Sequence, residues 1–169
     1  MAGIARAAGI SKALLYHYFP AKQAYFAATL ARAGEEIRAA TEPDLSLPPA
    51  EALTASLDAF LIWIAANRGA YMKVMQSASR HPEVRELIDA VRGATAQRIL
   101  EGLSPASAPA AGLRTAVRAW LWFMDGACLD WLEHDDLTRD QLRGLLLGTL
   151  MGAIIAAGGG DVIAPITQT

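Results

Sequence analysis

Residues 3–22, GIARAAGISKALLYHYFPAK, predict two short helices joined by a tight turn. Gly9 lies where the chain must turn sharply, because glycine has no Cβ atom to oppose a left-handed backbone conformation. Ser11 is a suitable N-cap for a second helix that runs from Lys12 to Phe19. Pro20 ends this second helix, since proline cannot continue a helix interior.

The small and apolar residues of this stretch have the spacing of a helix-turn-helix. Ala5 precedes Gly9 by four residues, and Leu15 follows six residues later. The alanine lets the two helices approach closely, and the leucine fills the angle between them. The stretch therefore predicts a helix-turn-helix, a pattern that is by itself only a weak indication of function.

The longer segment IARAAGISKALLYHYFPAKQAYFAATL, residues 4–30, resembles the DNA-binding segment of the tetracycline-repressor (TetR) family of bacterial transcriptional regulators. The resemblance includes the aromatic cluster Tyr16–Phe19 and Lys22 after the proline. It implies a DNA-binding head followed by a helical body that binds a ligand and forms dimers. Because members of that family begin with a further amphipathic helix, it also implies that the first helix of the head is missing here.

The charged residues are distributed unevenly along the 169-residue chain. Residues 1–34 contain Arg6, Lys12, Lys22 and Arg32 and no acidic residue, so this part carries a charge of +4. Since the whole chain has a net charge of −2, the remainder carries −6. A basic head on an acidic body is expected if one end of the protein contacts phosphates.

The chain as a whole predicts an all-α protein. Apolar residues recur at helical spacing almost everywhere, and no run alternates with a period of two for long enough to indicate a strand. The pattern corresponds to about nine helices, arranged as a small head and a bundle body. We expect residues 1–40 to form the head with its connecting helix and residues 41–169 to form the ligand-binding and dimerisation domain. A connector rich in proline, alanine and serine spans Ser104–Gly112, and a tail follows from Gly158.

The second helix of the head is the element expected to enter the major groove of DNA. The N-terminal residues of such a recognition helix contact base edges, and flanking groups hold phosphates. By position and by resemblance we expect DNA contacts from Ser11, Lys12, Ala13, Leu14, Tyr16, His17, Tyr18 and Lys22. Tyr18 and Lys22 would hold the backbone, and the others would lie nearer the bases. The alternative is that the tyrosines are half-buried and the lysines are merely solvated.

Three glycines four residues apart predict a smooth stripe along the last helix. Glycine costs about 1 kcal/mol relative to alanine inside a helix, so the close approach of another backbone would offset this cost. The resemblance implies that the last two helices meet those of a second subunit. The residues expected in this homodimer interface are Val117, Leu121, Cys128, Gly144, Leu145, Gly148 and Gly152. The alternative is that the stripe packs within its own subunit.

The body contains many large and adaptable side chains. Aromatic and methionine-rich walls suit a cavity for a small apolar molecule, although the same pattern is more often plain core. The resemblance to a ligand-responsive family favours the cavity over the core. The residues expected to bind the ligand are Phe60, Trp63, Tyr71, Met75, Trp120, Phe123 and Met124.

The sequence offers little support for an enzyme, a metal site or a cofactor. Asp125 lies in an apolar helix, where it could bind a ligand or pair with an arginine such as Arg118 across a partner, and the same alternatives apply to Asp58. We favour structural pairing for both. The adjacent His134, Asp135 and Asp136 are more typical of a solvated turn than of a metal site. We therefore expect no catalytic residues, no metal and no cofactor.

The single cysteine, Cys128, cannot form an internal disulfide, which fits a cytoplasmic protein. The uncharged segment Gly144–Gly160 is short and rich in glycine, so we expect no membrane insertion.

These observations predict a ligand-responsive transcriptional regulator, most simply a repressor. A homodimer would bind a near-palindromic operator in double-stranded DNA, and a small apolar effector would release it. Two alternatives stay open. One is a truncated helical dimer that does not bind DNA and instead binds a small molecule or titrates a full-length partner. The other is a small helical enzyme that uses Asp125 or the His134 cluster.

Overall fold

The computed structural model describes residues 1–104 and 108–159. Residues 105–107 of the predicted connector and the predicted tail from residue 160 lie outside the described residues. Within the described ranges the structure is helical and has no strand, which confirms the all-α prediction. The helices are α1 (Ala2–Ala7), α2 (Lys12–Tyr18), α3 (Lys22–Ala40), α4 (Pro49–Ala66), α5 (Arg68–Ser77), α6 (Pro82–Leu103), α7 (Ala111–His134) and α8 (Arg139–Ala156). The described ranges thus hold one helix fewer than the approximate count expected from the sequence.

The chain divides into two compact units, Met1–Glu36 and the part that begins at Ile37. The first unit holds α1, α2 and most of α3. Within this unit α1 packs against α2. The buried side chains of the unit are Ala5, Leu15 and Leu30. Alanine and leucine therefore occupy the inner positions that the helix-turn-helix spacing predicts.

The turn between α1 and α2 is closed by local hydrogen bonds. Gly9 has a φ of +66°, in the left-handed region where glycine is unstrained. The N–H of Ile10 donates to the carbonyl of Ala5 at 3.0 Å, as expected when a glycine follows the end of a helix. Ser11 then caps α2, because its Oγ accepts from the N–H of Leu14 at 3.1 Å. The predicted turn and cap are both present.

The helix α2 ends one residue earlier than the sequence predicts. Phe19 is extended, with φ −130° and ψ 93°, because the ring of the following Pro20 disfavours the helical conformation at the residue before it. The Phe19 ring meets Tyr25 of α3 edge to face, with centroids 5.2 Å apart. This contact lies within the first unit.

The second unit is a bundle in which α7 is the central helix. It packs against α5, α6 and α8, while α4 packs against α5 and α8. The indole N–H of Trp120 donates to the Leu146 carbonyl at 2.8 Å, which joins α7 to α8 within the core. The N–H of Trp131 donates to the Leu137 carbonyl at 2.8 Å and so holds the turn before α8.

The two ends of the turn between α7 and α8 are set by local chemistry. Asp135 ends α7 in the left-handed conformation, with a φ of +54°. Thr138 and Gln141 form a reciprocal capping box at the start of α8, which satisfies two backbone N–H groups. The predicted turn and N-cap are therefore present.

By length and composition alone, α4 is the one helix in the described ranges that could cross a bilayer. The core helix of a soluble bundle can have the same composition. The α4 side chains of Leu57, Leu61 and Ile64 are buried in the core of the second unit.

Candidate DNA-binding and ligand-binding sites

The surface of α2 presents nearly all of its side chains outward. Leu15 is its only buried residue. Leu14, Tyr16 and Tyr18 are 43%, 41% and 68% exposed, although side chains of this size usually lie in a core. All the residues expected to contact DNA are exposed, namely Ser11, Lys12, Ala13, Leu14, Tyr16, His17, Tyr18 and Lys22. The predicted DNA-contact residues therefore lie on the accessible surface of α2, at its N-cap and at the start of α3.

Neighbouring groups order part of this surface. The Lys12 ammonium lies 5.8 Å from the centre of the Tyr16 ring, within the range of a cation–π contact. The rings of His17 and Tyr18 meet edge to face with centroids 5.3 Å apart. No acidic residue precedes Glu35 in the sequence, so these cationic groups lie in a unit with a positive charge.

The residues expected in the dimer interface separate into two groups. On α8 the positions of Gly144, Gly148 and Gly152 face open space, and an added Cβ atom would meet nothing within 4 Å at any of them. Leu145 beside them is 45% exposed. These four residues form an accessible surface that is available to a partner.

Val117, Leu121 and Cys128 of α7 are instead buried inside their own subunit, with exposures of 0%, 2% and 0%. Their placement at a surface between subunits needs correction, because they belong to the hydrophobic core that α7 forms with its neighbours. Burial raises the pKa of the Cys128 thiol to about 12, so it stays protonated.

Three exposed apolar side chains on α7 and α8 were missed as surface candidates. Trp122, Phe123 and Ile155 are 62%, 42% and 58% exposed. Phe123, one of the predicted ligand-binding residues, follows buried Leu121 by two positions, and residues two apart do not share a helix face. Buried Trp120, three positions before Phe123, indicates the opposite side, so periodicity alone does not decide where Phe123 points.

The other residues expected to bind a ligand gather in one core. Tyr71 and Trp120 are buried, and the partly buried members packed against the same core are Phe60, Trp63, Met75 and Met124. Phe60 and Tyr71 meet edge to face with centroids 6.2 Å apart. Trp120 braces α7 against α8 through its indole N–H. The aromatic and methionine side chains of α4, α5 and α7 therefore converge, with Phe123 as the exception.

A polar network joins α5, α6 and α7 at Asp125. The hydroxyl of Tyr71 donates to Asp125 Oδ1 at 3.3 Å, and Arg92 Nε donates to Oδ2 at 2.6 Å. Arg92 also pairs with Asp89 at 3.0 Å, and its guanidinium lies 3.9 Å from the centre of the Trp122 ring. Asp125 therefore pairs with Arg92 of the same chain, and not with Arg118, which was one possible partner.

Burial controls the protonation of this network. It raises the pKa of Asp125, while the hydrogen bonds from Arg92 and Tyr71 act in the opposite direction. Burial and the neighbouring Asp125 raise the pKa of Tyr71 well above its ordinary range. The phenol therefore keeps its proton and donates a hydrogen bond to Asp125. Two donors thus engage the carboxyl group of Asp125.

Two further charged residues that the sequence singled out have structural partners. Asp58 of α4 pairs with Arg139 and Arg143 of α8, each at 3.0 Å, and joins the two helices. His134 Nδ1 lies 3.1 Å from the Asp130 carbonyl, and this hydrogen bond together with the Asp130 carboxylate raises its pKa. Among the residues that the structure describes, no three His, Cys, Asp or Glu side chains are placed to hold a metal ion.

Two family models match the chain. Residues 1–29 match the model described as "Bacterial regulatory proteins, tetR family", and residues 49–153 match "Tetracyclin repressor-like, C-terminal domain". No curated protein matches the chain in sequence.

The structure is also similar to a crystal structure of a TetR-family transcriptional regulator from Streptomyces coelicolor. The TM-score is 0.87 and the sequence identity is 25%, over 96% of this chain and 76% of that chain. The matched family models and this similarity of fold cover both the head and the body. The chain therefore belongs to the TetR family of transcriptional regulators, whose members bind DNA and dimerise.

Proposed function

We propose that the protein is a ligand-responsive repressor that acts in the cytoplasm. A homodimer binds a near-palindromic operator in double-stranded DNA, and a small molecule bound by the body releases it. The observation that carries this proposal is the surface of α2, where every side chain except that of Leu15 is accessible. Regulators of this family are generally not enzymes, and two donors already engage Asp125.

The residues of α2 suit the two kinds of DNA contact. Lys12, Ala13 and Leu14 lie in the first turn of α2, where a recognition helix meets base edges, and Tyr16 and His17 follow in its last turn. We assign Tyr18 at the end of α2 and Lys22 at the start of α3 to phosphate contacts, and the positive end of α3 supports this role for Lys22.

A second subunit supplies what one recognition helix lacks. One helix contacts only a few base pairs, whereas a two-fold dimer contacts two half-sites. We assign the partner surface to the exposed side of α8, with Gly144, Leu145, Gly148 and Gly152, together with exposed Phe123 of α7. Glycines allow two backbones to approach closely there, and buried Val117, Leu121 and Cys128 support this surface from inside.

Effector binding needs only a modest energy to control such a repressor. A coupling free energy of about 1–3 kcal/mol changes affinity roughly 5- to 150-fold. The partly buried Phe60, Trp63, Met75 and Met124 are the side chains that support an apolar contact with the effector, beside buried Tyr71. Methionine side chains such as Met75 and Met124 are unbranched and flexible, so they can adapt their packing to a ligand.

Selection from a random pool of DNA duplexes, followed by fluorescence anisotropy on the enriched sequence, tests this function. We expect a near-palindromic sequence to be enriched and to bind at least about a thousandfold more tightly than its scrambled counterpart. A pool that gains no common sequence after repeated rounds would refute the proposal. Leu15→Ala is not a suitable test variant, because it truncates one of the three buried side chains of the head.

A further inference from the structure

An open groove of about 310 Å³ lies between α6 and α7, next to Ser104 and Pro109, and none of the residues expected to bind a ligand lines it. Its floor includes Ala96 and Leu100 of α6, which are apolar and 2% and 8% exposed. Gly93 of α6 also lines the groove, and a Cβ atom added there would meet nothing within 4 Å. We call this feature the α6–α7 groove.

Two arginines of α7 line the groove. Arg114 and Arg118 lie one helical turn apart, and both are exposed. Like charges at this spacing destabilise a helix by a few tenths of a kcal/mol. Among the described residues no carboxylate forms an ion pair with either arginine, and the same holds for Arg68, Arg80, Arg85 and Arg98 in this unit. What distinguishes Arg114 and Arg118 is that both line one groove.

The one acidic residue of the groove has a neutral partner. Glu101 accepts a hydrogen bond from Gln97 Nε2 at 2.8 Å. The two arginines outnumber this carboxylate, so the groove has a positive charge above an apolar floor. Such a surface is complementary to a molecule that has an anionic group at one end and an apolar body at the other.

We propose that the α6–α7 groove binds a small carboxylic acid with an apolar body, such as an aromatic or medium-chain acid. Its carboxylate contacts Arg114 and Arg118, whose planar guanidinium groups match carboxylate geometry. Its apolar body covers Ala96 and Leu100. A volume of about 310 Å³ is at the lower end of the range of small-molecule sites. As a regulatory site the groove depends on the proposed ligand response, but carboxylate binding itself requires no DNA.

Isothermal titration calorimetry on the full chain tests the groove, with phenylacetate, octanoate, their uncharged amides and inorganic phosphate as probes. We expect at least one carboxylate to bind about tenfold or more tightly than its amide, because the charged hydrogen bonds are lost in the amide. Phosphate should bind more weakly than that carboxylate, since it has no apolar body. Phosphate that binds as tightly would overturn the proposed ligand class, and no binding of either acid would overturn the site.

Three variants locate the binding. Arg118→Gln should weaken carboxylate binding about tenfold or more by removing a charged hydrogen bond. Gly93→Leu should block the apolar body while it leaves both arginines in place. Arg85→Gln, an exposed arginine of α6 outside the lining, should have no effect. Circular dichroism checks that each variant folds, and equal binding by all three variants would place the ligand elsewhere.

Carboxylate binding and DNA selection, both measured on the same protein, distinguish a failure of this inference from a failure of the proposed function. If a carboxylate binds in the groove but the protein enriches no DNA sequence, the groove stands and the repressor proposal fails. If the protein binds its selected duplex but neither acid binds, the groove fails alone. If both bind, addition of the acid should lower DNA affinity in wild type and not in Gly93→Leu.

Discussion

At the scale of single residues, Lys22 and His17 separate affinity from specificity. A lysine on a phosphate contributes equally to every sequence, whereas a side chain at a base edge distinguishes them. We expect Lys22→Ala to weaken binding to all duplexes and to reduce the slope of log affinity against log salt by about 1. Lys73→Ala, an exposed lysine of α5, is the matched control and should leave both quantities unchanged.

His17→Ala should instead change base preference. We expect it to cost about 1–3 kcal/mol on the selected sequence and little on a scrambled one. Anisotropy titrations of both duplexes measure the difference. An equal loss on the two would remove His17 from the base-contacting group.

The ion pair between Arg92 and Asp125 should be strongly coupled. Arg92→Met leaves the largely buried Asp125 carboxylate with Tyr71 as its remaining donor, which we expect to destabilise the fold by about 3 kcal/mol. The double variant with Asp125→Asn should recover much of that loss. Urea denaturation at one fixed protein concentration measures the cycle, with Arg85→Met as an exposed control. Effects that simply add would contradict the coupling.

The same carboxyl group predicts a dependence of stability on pH. Burial raises the pKa of Asp125 above its ordinary value of 3.8. The folded protein therefore holds this proton at pH values where the unfolded chain has lost it, and the contribution of Asp125 to stability falls as pH rises through that window. The difference in unfolding free energy between wild type and Asp125→Asn, measured upward from pH 3.5, should decrease with pH. A difference that increases would mean that Arg92 outweighs burial.

At the scale of elements, local signals predicted the head well. Gly9, Ser11 and Pro20 act on their immediate neighbours, so the turn, the cap and the end of α2 could be inferred from the sequence within one residue. The side of α7 that faces a partner could not be inferred from the sequence. Periodicity places Val117 and Leu121 together, but only the positions of α6 and α8 decide that this side is inside the subunit.

The helix α8 offers a test in which two effects have opposite signs. Gly148→Ala should stabilise the helix itself by about 1 kcal/mol, because the new methyl group meets nothing within 4 Å in the single chain. If a partner backbone approaches there, the methyl group should weaken the dimer about tenfold or more by overpacking. Gly93→Ala in the middle of α6 is the matched control, since its position is equally open.

Sedimentation velocity over a range of protein concentrations gives the dimer dissociation constant for both variants. The proposal predicts weaker dimers for Gly148→Ala alone. Dimers of unchanged strength in both variants would show that the glycine stripe faces solvent.

At the scale of the whole molecule, the sequence already indicated a basic head and an acidic body. It did not indicate which charges meet, because Arg92 and Asp125 are brought together by the packing of α6 on α7 and not by sequence spacing. The α6–α7 groove has the same origin, since its apolar floor and its two arginines come from different helices. The aromatic and methionine side chains predict an apolar effector in the core of the body, and the charge of the α6–α7 groove favours an anionic ligand at a second position.

The central claim is that α2 is a recognition helix presented twice by a dimer. Hydroxyl-radical footprinting of the full chain on its selected duplex tests this claim most directly. We predict two protected segments whose centres lie about 10 base pairs, or a whole multiple of that distance, apart. A single protected segment, or a duplex cleaved uniformly at protein concentrations that saturate binding, would contradict the account.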